Sequence, residues 1–217
     1  PSLKMIEAAR EGGVNIMADV YPYDAFSTFV GSAVFDEGCF EKWGVDYEAI
    51  KVTEGKYKGR RCNKEIFEYI RKNEPDDLVV AFVMEEKEVI EAMKHPLVMI
   101  ASDGILSNGQ GHPRAAGTFP RVLGKYVRDE NELTLINAID KITRIPAERA
   151  GFKKKGRIKE GYDADITIFD FTRVIDKATF NNPIKNPKGI EAVILNGKQV
   201  VDKGDLKENY PGTVFRY

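Results

Sequence analysis

Residues 97–104 read Leu97-Val98-Met99-Ile100-Ala101-Ser102-Asp103-Gly104: five apolar residues, a small polar one, a carboxylate and a glycine. A short run that is apolar on both faces and ends in turn residues is the pattern of a strand buried on both sides, as in a parallel sheet. It follows His95-Pro96, which closes a helix predicted over Glu85 to Lys94, and that helix follows a second apolar run, Leu78 to Met84. Strand, helix, strand is the rhythm of an α/β fold with parallel strands. Nearer the start the unit recurs: a helix from Ser2 to Gly12 with Leu3, Ile6 and Ala9 on one face, a stop at Gly12-Gly13, and a strand from Val14 to Val20. Val14 to Val20, Val79 to Met84 and Leu97 to Ala101 are therefore expected to lie side by side as parallel strands, their carboxyl ends sharing one rim.

Around this frame the composition changes twice. Residues 25–73 mix small residues, aromatics and charges, with Asn63 as cap of a helix over Lys64 to Lys72, and read as an insertion. The Gly104 to Gly117 stretch, rich in Gly, Asn, Ser and Gln, reads as a loop at a strand end, followed by helices over Phe119 to Arg128, Thr134 to Arg144 and Pro146 to Gly151. Beyond Gly156 the chain turns β-like: Arg157-Ile158-Lys159, Ala164 to Asp170, and a hairpin, Ile190 to Leu195 and Lys198 to Val201, turned by Asn196-Gly197. The expected division is residues 1–155 and 156–217.

Composition narrows the function classes. With 33 Lys+Arg against 34 Asp+Glu, the net charge of −1 lacks the basic excess of a phosphate-neutralising protein, so nucleic acid is not the expected partner. Leu78 to Met84, the longest purely apolar run, is far short of a membrane span, and no leader pattern precedes it, so a soluble, cytoplasmic protein is expected. Two cysteines, Cys39 and Cys62, give no disulfide framework and no metal knuckle. The first residue is Pro1 and a helix opens at once, so the sequence reads as a piece of something longer.

Reactive groups of parallel α/β folds sit where strands end. Asp103 stands at such an end, either as a carboxylate that moves a proton or as an ordinary turn residue. Arg114, eleven residues on in Gly111-His112-Pro113-Arg114, is either a two-point clamp for a substrate carboxylate or a surface residue. Tyr21 and Ser27, after the first strand, either orient a ligand or pack.

Four ordered motifs carry a resemblance: Asp19-Val20-Tyr21-Pro22-Tyr23; Ser102-Asp103-Gly104; His112-Pro113-Arg114 with Gly117-Thr118-Phe119-Pro120-Arg121-Val122-Leu123-Gly124; and Gly156 to Asp165. Together they resemble the carboxyl-terminal part of the N-acyl-D-amino-acid deacylase (D-aminoacylase) family of the zinc-dependent amidohydrolase superfamily. The resemblance implies strands 6 to 8 of a TIM-like (β/α)8 barrel with an insertion, then part of a small β-sandwich. It implies Asp103 as general acid/base and at most a weak metal contact, Arg114 and Tyr21 as holders of the substrate's α-carboxylate, Ser27 as a further substrate contact, and Met84 as a lining residue of the acyl or side-chain pocket. The substrate implied is a small N-acyl-D-amino acid.

The zinc that the resemblance implies needs about three protein donors. The chain has only His95 and His112 and no His-x-His pair, so its metal ligands are expected outside this sequence, and the piece alone is expected to be inactive. It is expected to self-associate or to pair with the missing amino-terminal part. Two alternatives stand beside this: a catalytically silent relative that binds an acylated amino acid or a partner protein, and a cyclic-amide hydrolase of the dihydroorotase or dihydropyrimidinase type, which the Tyr-Pro-Tyr and His-Pro-Arg motifs disfavour.

Overall fold

Two short strands carry the frame. In the computed structural model, which describes residues 2–215, helix α1 (Ser2–Glu11) leads to β1 (Ala18–Val20). This strand pairs in parallel with β5 (Val98–Ile100), Val20 opposite Ile100, so both strands end on the same rim. The expected partnership of the first and last apolar runs is therefore present, over three residues each.

The middle run behaves differently. Strand β4 (Leu78–Ala81) lies at the centre of an antiparallel sheet between β2 (Phe26–Phe29) and β3 (Ile50–Val52), not beside β1 or β5. The expectation of three adjacent parallel strands is thus corrected to two, and β4 pairs instead with strands of the segment expected as an insertion. All four residues of β4 are buried, because a sheet lies around it and α3 (Lys64–Asn73) covers it with Ile66, Phe67 and Ile70. Asn63 caps α3 as expected, its side chain accepting the Ile66 N–H at 2.9 Å. Helix α2 (Cys39–Trp43) adds Phe40 and Trp43 to a chain of aromatic contacts that runs through Phe26, Phe35, Tyr47 and Phe67.

A second core lies under the parallel pair. Helix α4 (Glu86–Lys94) contributes Val89 and Met93, and a small hairpin, β6 (Leu106–Ser107) with β7 (Gln110–Gly111), precedes α5 (Arg114–Arg121). A π-helical stretch, Val122–Asp129, continues α5 and buries Val122, Leu123 and Tyr126 in this core, joined by Ala138 of α6 (Leu135–Ile142). Lys141 of α6, only 2% exposed, donates its ammonium to the carbonyls of His95 and Val98 at 2.6 Å and so pins the start of β5. After α7 (Arg144–Arg149) comes one antiparallel sheet in the order β11 (Asp205–Leu206), β10 (Lys198–Asp202), β9 (Ile190–Leu195), β8 (Ile166–Phe169). The Asn196-Gly197 turn forms as expected, both residues at positive φ. Arg157–Ile158–Lys159 is not a strand, and Ile158 is 90% exposed. Val174 of the carboxyl-terminal region is fully buried in the same core as α4 and the π-helical stretch, so the two parts expected to divide near residue 155 share a hydrophobic core.

Candidate active site

Because β1 and β5 run parallel, the residues that follow them meet. The Ala101 N–H donates to the Val20 carbonyl at 3.1 Å, and one step on, Tyr21 and Asp103 reach the same cleft. Asp103 takes the left-handed backbone conformation, φ 44°, which aspartate tolerates better than most residues. Gly104 then passes close to α5: a Cβ there would come 2.7 Å from the Ala115 Cα. This close passage brings the Asp103 carboxylate to the amino end of α5, 2.8 Å from the Arg114 Nη2.

Arg114 is the hub. Its side chain is 2% exposed, Nη2 also donates to the Ser27 carbonyl at 3.2 Å, and the guanidinium lies 4.4 Å from the centre of the Tyr21 ring. Its Nε and Nη1 are buried with no hydrogen-bond partner, as is the Ser27 Oγ. Buried donors left unpaired cost about 1–3 kcal/mol each, so unpaired donors on residues that line a cleft point to a ligand position. Tyr21, Ser27, Asp103 and Arg114 all line one open cleft of about 440 Å³. The structure thus brings four of the five residues singled out from sequence together. Met84 is not among the residues lining it: it follows β4, partly buried, its N–H donating to the Asp24 carbonyl at 3.2 Å.

His112 holds this hub from behind. Its Nδ1 accepts the Arg114 N–H at 3.0 Å, which leaves the proton on Nε2, and Nε2–H donates to the Ala25 carbonyl at 2.9 Å. The ring packs edge-on against Tyr23 and Phe180 and is fully buried. Burial, then the nearby Arg114 charge, push its pKa down to about 3, so it is neutral at ordinary pH and cannot compete with the guanidinium for a carboxylate.

Sequence reasoning missed a second layer. Arg121 donates Nε to the Pro22 carbonyl at 2.8 Å and pairs with Asp176, which also accepts the Tyr23 hydroxyl at 3.4 Å, so the turn after β1 is held from the carboxyl-terminal region. Burial, with the Asp176 charge adding to it, raises the Tyr23 pKa. Arg121 lies in a motif quoted above; Asp176 carries no local signal, since its partners are 55 and 153 residues away.

No zinc site assembles. Among the described residues no group of three His, Cys, Asp or Glu side chains could hold a metal ion. Both His112 nitrogens are used, and His95 is engaged through Nε2 with Glu7 and through Nδ1 with the Leu97 N–H. Asp103 is the single carboxylate lining the cleft. Cys39 and Cys62 are free, buried within the insertion.

Comparison with known proteins places the chain among relatives. The chain is 32% identical over 226 residues to an N-acyl-D-glutamate deacylase of Alcaligenes xylosoxydans xylosoxydans, covering 99% of this chain and 44% of that protein. It is also 32% identical over 224 residues to a D-aminoacylase of the same organism, with the same coverage of both chains. Among solved structures, an N-acyl-D-glutamate deacylase of Bordetella bronchiseptica, complexed with zinc and a phosphonate mimic of the tetrahedral intermediate, superposes with a TM-score of 0.78 at 32% identity, over 91% of this chain and 42% of that one. The chain thus spans less than half the length of these relatives. An L-hydantoinase (dihydropyrimidinase) of Arthrobacter aurescens, 18% identical with a TM-score of 0.53 over 94% of this chain and 43% of that one, shares the fold alone. The model of one family, described as the amidohydrolase family, matches residues 78–201, a stretch that takes in β4, β5, Asp103, Arg114 and the first strands of the carboxyl-terminal sheet. That match accounts for more than half of the sequence, and the chain belongs to the amidohydrolase family.

Proposed function

We propose that this chain is the part of a metal-dependent N-acyl-D-amino-acid deacylase that binds the substrate's α-carboxylate and moves a proton at the amide bond. The observation that carries the reading is Arg114: a guanidinium buried to 2% exposure, with Nε and Nη1 unpaired, beside a carboxylate, Asp103, that is 67% exposed. Arg114 supplies the positive charge and unpaired N–H donors for a carboxylate, Tyr21 stacks against it, and the Ser27 hydroxyl supplies a further contact. Asp103 accepts a proton from the attacking water. As the carbonyl carbon–nitrogen bond breaks, it passes that proton to the leaving amine, giving a carboxylate and a D-amino acid.

The zinc named for the solved relative finds no donor set among the described residues, and the reading assigns its ligands to polypeptide outside this chain. In the same reading, β1 and β5 are two strands of a (β/α)8 barrel and the carboxyl-terminal sheet is part of a β-sandwich, completed by pairing with the rest of the protein. A cytoplasmic setting is in keeping with the free Cys39 and Cys62, and no described helix is long and apolar enough to cross a membrane.

Two variants of the full polypeptide test the assignment. Asp103→Asn lowers kcat for N-acyl-D-amino acids by about 10²–10⁴-fold, the worth of a positioned acid/base, with KM little changed. Arg114→Lys raises KM by roughly tenfold or more for free α-carboxylates and leaves the KM of amidated analogues unchanged. Because Arg114 also anchors Asp103, a smaller fall in kcat accompanies it for both substrate types. A normal kcat in Asp103→Asn, or an equal KM change for both types in Arg114→Lys, overturns the reading.

A further inference from the structure

Residues 176–182 of the carboxyl-terminal region reach the back of the site at two points. The first, Asp176, holds Arg121 and Tyr23 as described above. The second is Phe180. Thr179 and Asn182 exchange both backbone hydrogen bonds at 3.0 Å, a tight turn that carries Phe180 and Asn181 at its tip. The tip is tied to the insertion: the Lys51 ammonium of β3 donates to the Phe180 carbonyl at 3.1 Å and to the Asn181 side chain, and the Phe180 ring lies 4.7 Å from that of Phe82. Held there, the Phe180 ring stands 4.9 Å from His112 and nearly perpendicular to it.

His112 can hold Arg114 only as a neutral ring. Its Nδ1 must be bare to accept the Arg114 N–H, and a proton there would set donor against donor and place a second cation beside the guanidinium. Three rings surround it, Tyr21, Tyr23 and Phe180, and the charges that face it are those of Arg114 and Arg121, the latter paired with Asp176. Burial, more than either charge, holds its pKa at about 3. Tyr21 and Tyr23 come from the turn after β1, whereas Phe180 is brought in by the carboxyl-terminal region. Resting on the function proposed above, we infer that Phe180 is a positioning residue for the substrate's carboxylate: by covering the His112 ring it keeps that ring in the form that fixes Arg114. The carboxyl-terminal region is thereby a working part of the binding site.

The test measures KM of the full polypeptide for an N-acetyl-D-amino acid and for its amidated analogue from pH 8 to pH 5, in the wild type, Phe180→Ala and Phe180→Leu. Removing the ring admits water to His112, whose pKa climbs back toward 6.5. The KM of Phe180→Ala for the free carboxylate is then within about twofold of wild type at pH 8 and about tenfold above it at pH 5, with kcat following wild type throughout. Phe180→Leu, which keeps an apolar cover, stays close to wild type at both ends. A pH-independent KM ratio in Phe180→Ala, or the same rise for the amidated analogue, overturns the inference and leaves the proposed deacylase intact. Where Phe180→Ala does not fold, Lys51→Met, which frees the Phe180 carbonyl, replaces it: a smaller rise toward pH 5 supports the inference and a flat ratio ends it. Absence of turnover by the wild type overturns the deacylase reading instead. NMR titration of the His112 imidazole, assigned by its loss in His112→Gln, then decides the inference: a midpoint between about pH 5 and 6.5 in Phe180→Ala but not in the wild type supports it, and the same behaviour in both ends it.

Discussion

The insertion and the parallel-strand body satisfy their backbone and apolar surface in opposite ways. The insertion is closed: β4 is paired on both sides, all four of its residues are buried, and α3 with the aromatic cluster seals one face. The body is open: among the described residues β1 and β5 pair only with each other, and α1 buries none of its residues, leaving Met5 72% exposed. Antiparallel strands close over short connections, whereas parallel strands need further strands and covering helices to be satisfied. Among the described residues the parallel pair keeps two unpaired strand edges, whereas β4 has none.

The largest expected effect probes the closed half. Phe67 is 5% exposed and touches Phe35, Phe40 and Tyr47, so Phe67→Ala costs about 3–5 kcal/mol in chemical denaturation, while Met5→Ala in α1 stays within about 0.5 kcal/mol. Equal losses at the two positions would erase the contrast between closed and open halves.

Next comes the seam between them, where His112 ties Ala25 of the insertion side to Arg114 of the body. Its pKa is near 3 folded against about 6.5 unfolded, so its neutral form stabilises the native state fully above pH 6.5 and that stability is lost as pH falls toward 3. At about 1.4 kcal/mol per unit, a few kcal/mol are at stake. The stability gap between wild type and His112→Gln should shrink steadily from pH 7 to pH 4; a constant gap would mean that the ring does not stay neutral.

The smallest effect has the opposite sign. Burial, with Glu74 and Glu54 close by, pushes the Asp77 carboxyl up to about 6, so its contribution is fully present below about pH 4 and lost as pH rises through 6. Asp77→Asn should raise the stability of the insertion by on the order of 1 kcal/mol at pH 7 and leave it unchanged at pH 4. Thermal melts at the two pH values decide it, and destabilisation at pH 7 would show that the charge is wanted there.

Much of the frame was legible because its signals are local. The apolar run at Val98–Ile100, the Asn63 cap and the Asn196-Gly197 turn each carry their meaning within a few residues. The convergence of Tyr21, Ser27, Asp103 and Arg114 was legible through motifs at strand ends. The placement of β4 was not, since a central antiparallel strand buried on both faces has the same apolar pattern as a parallel one. Lys141 and Asp176 were equally hidden. A lysine and an aspartate usually read as solvated, and only partners 43 to 153 residues away make them buried pins.

The cleft draws its charged pair, Asp103 and Arg114, from the body, and Phe26, Phe29, Val34 and Leu78 from the insertion with its separate core. Mutations that reshape the insertion's rim can accumulate without touching the Asp103–Arg114 pair, and the reverse holds too. The two walls of the cleft can therefore evolve apart, and a laboratory can vary one alone by grafting residues 26–81 from one relative onto another.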